Sequence, residues 1–72
     1  DAARETIERG LREHPDNPSL LYDLACLEAL SGDQDAAVEH LRRALELKPD
    51  LAGDARADDD FASIRDRSDF PA

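Results

Sequence analysis

Residues 1–15 and 35–49 carry the same apolar pattern at one fixed offset. Ala3 falls over Ala37, Ile7 over Leu41, Gly10 over Ala44, Leu11 over Leu45 and Pro15 over Pro49, each pair 34 residues apart. Small, large and helix-ending residues that agree at a single spacing mark a repeated supersecondary unit. Within each copy the apolar positions recur at helical spacing, so the unit is built from helices. One such unit cannot bury its apolar face alone, and the chain is therefore expected to stack helices side by side.

The first helix is predicted over 2–14. Ala3, Ile7, Gly10 and Leu11 share one face, with Arg4, Glu5, Glu8, Arg9 and Arg12 around the others. Glu8 and Arg12 stand in the order that favours pairing, His14 lies near the negative end of the helix dipole, and Pro15 blocks continuation. Gly10 costs on the order of 1 kcal/mol against Ala in mid-helix, which suits a place where a neighbouring helix approaches closely. Asn17 can N-cap a second helix over 18–31, with Pro18 in its first turn. The apolar residues of that helix, Leu20, Leu21, Leu24, Ala25, Leu27 and Leu30, cover more than one stripe, which implies neighbours on two sides. Asp23 and Glu28 interrupt it.

Gly32 can take the left-handed conformation that ends a helix, and Asp33 can cap a third helix over 34–47. That helix turns Ala37, Val38, Leu41, Ala44, Leu45 and Leu47 inward and sets Glu39 to pair with Arg43 outside, before Pro49 closes it. Two short helices are expected afterwards, over 51–57 and 61–66. Asp58 to Asp60 would cap the last of them, Phe61 and Ile64 share its face, and Phe70 adds an apolar anchor, so the tail should fold back as a lid.

Composition agrees with an all-α chain. The apolar residues are mostly Ala and Leu, with no Met or Trp, two Phe and one Tyr, a set that suits close helix packing better than a sheet. A chain of 72 residues makes one domain at most and buries only about 60% of the surface its unfolded form exposes. The net charge of -9 repels phosphate backbones and anionic membranes, so neither a nucleic acid nor a membrane is an expected partner. Cys26 is the single cysteine, which excludes an internal disulfide framework and fits a reducing, cytoplasmic setting. The longest apolar run, Leu24 to Leu27, is far short of the roughly 20 residues a membrane span needs. Because the chain opens on Asp1, a larger parent is left open.

With its period, the chain resembles a tetratricopeptide repeat protein. Leu21 stands where that family often has Trp, Leu24 and Ala25 match its Leu and small residue, Gly32 holds the turn, and Ala37, Leu41, Ala44 and Pro49 match its second-helix signature. The resemblance implies an α-α superhelix with a half-repeat at 1–15, a full repeat at 17–51 and a capping tail at 52–72. The tail is similar to segments that close some bacterial arrays. Glu28 departs from the pattern, standing where the family usually has Tyr.

The family binds extended or helical peptides along the inner face of each repeat's first helix. The positions that match here are Ser19, Tyr22, Asp23, Cys26 and Leu30, and the resemblance implies a protein or peptide partner of basic or amphipathic character. Members that clamp a terminal carboxylate use Lys and Asn on this face; Tyr22, Asp23 and Cys26 would repel one. The alternative is a structural cap or a homo-oligomer joined through the exposed face of the first helix.

Catalysis is not expected. Ala25 and Leu27 beside Cys26 supply no base or positive charge to activate it. His14 and His40 are not at ligand spacing from Cys26 or each other, and both read as solvated surface histidines. The carboxylates Asp54 and Asp58 to Asp60 lack the Gly and terminal Glu of a twelve-residue calcium loop. No metal or cofactor is expected.

Overall fold

A computed structural model describes residues 2–72. In the described residues the chain is all helical: α1 (Ala2–Glu13), α2 (Pro18–Ser31), α3 (Gln34–Leu47) and α4 (Leu51–Ala57), followed by a 3-10 turn at Asp59–Phe61. The boundaries follow from local chemistry. Asn17 is extended (φ -78, ψ 110) and accepts the Leu20 N–H on its side chain at 3.2 Å, with Pro18 just inside the helix. At the other end of α2, Gly32 adopts φ 90; its N–H reaches the Ala29 carbonyl and the Asp33 N–H reaches that of Glu28. That pair of reversed bonds is a Schellman turn, and it folds α3 back along α2. Asp33 differs from expectation: its side chain makes no cap bond, its ψ of 71 being well short of the extended value at Asn17.

The core lies between α2 and α3. Leu21, Leu24, Ala25 and Ala29 of α2 are buried with Ala37, Val38, Leu41, Ala44 and Leu45 of α3. On the other flank of α2, α1 contributes no fully buried residue, with Ile7 and Leu11 half-buried. Gly10 lets this helix come close: a Cβ there would stand 2.9 Å from Leu20 Cδ1. The two apolar sides of α2 are thus explained by α1 and α3, the expected neighbours.

The tail departs from the helix predicted over 61–66. Successive backbone bonds run from Phe61 N to Asp58 O, Ile64 N to Phe61 O, Arg67 N to Ile64 O and Phe70 N to Arg67 O, all at 3.0–3.1 Å. Every bond spans three residues, the spacing of 3-10 turns. The apolar anchors explain the choice. Phe61 and Phe70 are nine positions apart, which in an α-helix would turn them to opposite sides, about half a turn out of phase; a three-residue period keeps Phe61, Ile64 and Phe70 on one edge. Phe61 and Ile64 are fully buried against Ala25, Ala29, Ala37 and Val38, with Phe70 packed beside them. The Asp58 carbonyl also accepts from Arg65 Nη2 at 2.7 Å, which holds the first turn.

Polar ties fasten the tail to the hairpin. Ser63 Oγ donates to the Ala29 carbonyl at 3.2 Å, and Arg67 bridges Asp35 of α3 and Asp69, both at 2.9 Å. The Arg67 hydrogen bond holds the Asp69 carboxyl below its ordinary range. Two expected surface pairs are replaced. Glu8 takes Arg4 rather than Arg12, because Arg4 is drawn inward at the α1–α2 junction. Glu39 takes Arg42, because Arg43 turns to Asp16 in the α1–α2 link.

Candidate partner-binding face

Ser19, Tyr22, Asp23, Cys26 and Leu30 follow one another at helical spacing, so α2 presents them on one side. Ser19 and Asp23 are exposed, and Leu30 is 64% exposed, more than any other large apolar side chain described. Tyr22 and Cys26 are half-buried because the start of the tail crosses them. The Tyr22 hydroxyl donates to Asp58 Oδ2 at 2.9 Å, and its ring meets Phe61 edge-on, with centroids 5.3 Å apart at 84°. Phe61 in turn meets Phe70 at 6.4 Å, so three rings form a seam between tail and hairpin.

Acidic groups gather around this seam. Burial first, then the hydrogen bond and charge of Asp58 with the charge of Asp54, push the Tyr22 phenol well above its ordinary range. Burial, followed by the charges of Asp58, Asp60 and Asp23, pushes the Cys26 thiol up to about 12. The thiol therefore stays protonated at neutral pH, the opposite of what a nucleophile requires.

Cys26 Sγ and carboxylate oxygens of Asp58 and Asp60 lie within 4.8 Å of one another. The Asp58 carboxylate already has partners: Oδ2 takes the Tyr22 hydroxyl, and Oδ1 takes the Asp60 N–H at 3.0 Å. Its geometry is that of a cap on the 3-10 turn and a tether to α2.

A second polar constellation was not legible as such. Glu28 is 2% exposed, its carboxylate enclosed where α1, α2 and α3 meet. Oε1 lies 2.6 Å from His40 Nδ1 of α3, and Oε2 lies 3.5 Å from Arg4 Nη2 of α1. His40 is thus half-buried and paired, in place of the solvated histidine expected, while His14 is exposed as expected. The available signal was the position of Glu28, four residues after Leu24 and seven after Leu21 on an apolar stripe.

A family model of the tetratricopeptide repeat matches residues 18–51. These residues form a tetratricopeptide repeat. The match spans α2, α3 and the link to α4, leaving α1 and the tail outside. Comparisons with curated proteins and with solved structures gave no match. In the repeat, α2 is the first helix and α3 the second, and the face bearing Tyr22 and Cys26 belongs to the first helix. Tetratricopeptide repeats are in general protein-interaction modules and typically non-catalytic. No helix among the described residues is long and apolar enough to cross a membrane.

Proposed function

We propose that this chain binds a basic or amphipathic peptide, presented by a partner protein, on the α2 face that carries Ser19, Tyr22, Asp23, Cys26 and Leu30. The observation that carries the reading is the charge around that face. Asp23, Asp54, Asp58 and Asp60 all act on Tyr22 or Cys26, so a cationic segment is attracted and an anionic one repelled. Exposed Leu30 adds an apolar contact at one end. A cytoplasmic setting suits the single free thiol.

The tail enters this reading as part of the face. Phe61 and Ile64 are fully buried, and lifting them would open the core, so a partner meets the tail in place. Titration of the labelled protein with an Arg/Lys-rich peptide and with an acidic peptide of equal length, followed by NMR, is the test. The reading expects shifts that cluster around Ser19, Tyr22, Asp23, Cys26 and Leu30 with the basic peptide, weakened by salt. Equal response to both peptides, or shifts centred elsewhere, would overturn it.

A second reading, a structural cap or self-association module, draws on a different observation. The apolar face of α1 is only partly covered by α2, with Ala3 exposed and Ile7 and Leu11 half-buried, whereas the matching Ala37, Leu41 and Leu45 of α3 are buried. Sedimentation over a range of concentrations separates the two. A dimer that dissociates when Ile7 or Leu11 becomes Ser, with circular dichroism unchanged, supports assembly; a monomer at all concentrations counts against it.

A further inference from the structure

The junction of α1, α2 and α3 is closed by a charge. Along α1 no side chain is fully buried, yet the surface it covers on α2 includes Glu28, whose exposure is 2%. We infer that Glu28 makes the N-terminal flank of the hairpin a seat selective for helices that bring a guanidinium to it.

The argument turns on which acceptors are satisfied. An ionised carboxylate has two oxygens to pair, and a buried acceptor left unpaired costs far more than the same acceptor in water. His40 Nδ1 serves Oε1 from within the repeat, at 2.6 Å. Oε2 is served from outside it, by Arg4 Nη2 at 3.5 Å. The hairpin therefore supplies one partner of its own and depends on the docked helix for the other. A helix with an apolar or acidic residue at that place would seal Oε2 into a dry junction without a donor, and the cheapest response is for its end to lift and admit water.

The geometry further favours arginine over lysine. The Arg4 guanidinium uses two edges, donating from Nε to Glu8 at 2.9 Å while Nη2 faces Glu28. Glu8 thus holds the fork in the orientation that reaches inward, a task one ammonium group cannot share. The half-buried Ile7 and Leu11 and the close approach of Gly10 to Leu20 add area and fit, whereas the charge at Glu28 decides which helix is admitted. In this chain α1 fills the seat; a helix from another chain would have to bring the same group.

Backbone amide exchange of the full chain, read by helix, tests the inference with Arg4→Leu, Arg4→Lys and Arg4→Glu. Arg4→Leu is expected to lose about tenfold or more in protection along α1 while α2 and α3 keep theirs. Arg4→Glu should lose more, and Arg4→Lys should fall between the native chain and Arg4→Leu. A second route replaces the carboxylate: Glu28→Tyr combined with Arg4→Leu should restore α1 protection, because the seat then asks for no donor. Native protection of α1 in Arg4→Leu would overturn the inference. So would an equal loss in all helices, or an Arg4→Lys chain no better than Arg4→Leu. If Glu28→Tyr does not fold, the three Arg4 chains decide alone.

Discussion

Tyr22 on the second helix and Asp58 at the start of the tail are 36 residues apart in sequence and share a hydrogen bond of 2.9 Å. The phenol donates to a carboxylate whose other oxygen caps the next turn, so one residue ends α4 through its backbone N–H and, through its side chain, starts the tail and fixes it to α2. Removing the hydroxyl breaks the long-range half of that arrangement and leaves the ring stack intact. Tyr22→Phe is expected to cost about 1–2 kcal/mol, the lower part of the range for a bond to a charged acceptor because the site is partly solvated. Thermal or urea melting measures it, and a loss below a few tenths would mean the bond contributes nothing net.

The same neighbourhood sets an alkaline limit on stability. Burial and the neighbouring carboxylates push the Cys26 thiol up to about 12, and burial with the Asp58 hydrogen bond pushes the Tyr22 phenol above its ordinary range. Both groups therefore hold their protons in the folded chain at pH values where the unfolded chain has released them. With more protons bound when folded, stability must fall as pH rises. It is fully present below about pH 9 and is lost progressively toward pH 12 and beyond. Melting temperatures measured from pH 7 to 11 should decline more steeply in the native chain than in a Cys26→Ala, Tyr22→Phe double variant, and parallel curves would refute the assignment.

A protonated thiol is also a slow one. Iodoacetamide should modify Cys26 at neutral pH far more slowly than it modifies a free cysteine peptide, and Asp58→Asn should speed the reaction by removing the nearest negative charge. Mass spectrometry over a time course reads the rate. Reaction as fast as the peptide's would contradict the electrostatic picture.

Phe61 is the largest fully buried side chain among the described residues. Its ring is fully buried between Tyr22, Phe70 and the small residues of the hairpin. Phe61→Ala should cost about 3–5 kcal/mol, a large share of what so small a chain possesses. Deletion of residues 58–72 should lower the melting temperature comparably. An unchanged curve for Phe61→Ala would show that its ring contributes little, and one for the deletion would show that α1 to α4 are stable without the tail.

Two glycines should respond with opposite signs. Gly32 sits at φ 90 with open space around it, so Gly32→Ala meets only backbone strain and should destabilise by about 1 kcal/mol. Gly53 lies inside α4, also in open space, and Gly53→Ala should stabilise by about 0.5–1 kcal/mol through helix propensity. Melting of the two single variants in one buffer checks both signs.

What could be read beforehand was whatever local periodicity and capping decide. The bounds of α2, α3 and α4, the Asn17 cap and the turn at Gly32 all depend on a few neighbouring residues. The tail over 61–66 differs from the expected helix because helix propensity weighs only adjacent positions, whereas its three-residue turns go with the packing of Phe61, Ile64 and Phe70 on the hairpin core. His40 differs from the surface histidine expected for a related reason: its own neighbours suggest solvent, and only the folding of α3 onto α2 brings it to Glu28. The candidate face was legible as a set of positions on α2, but the contribution of Asp54, Asp58 and Asp60 to it required the return path of the chain.

The ring seam also gives the molecule an optical reporter. With no tryptophan and a single tyrosine, near-ultraviolet absorption and emission come chiefly from Tyr22, which lies where the tail meets the hairpin. Its hydroxyl faces a carboxylate, a neighbour that quenches phenol emission, and its ring is held asymmetrically against Phe61. Detachment of the tail would therefore brighten the native chain's emission and erase its near-ultraviolet circular dichroism, with no label attached and with the helices still intact.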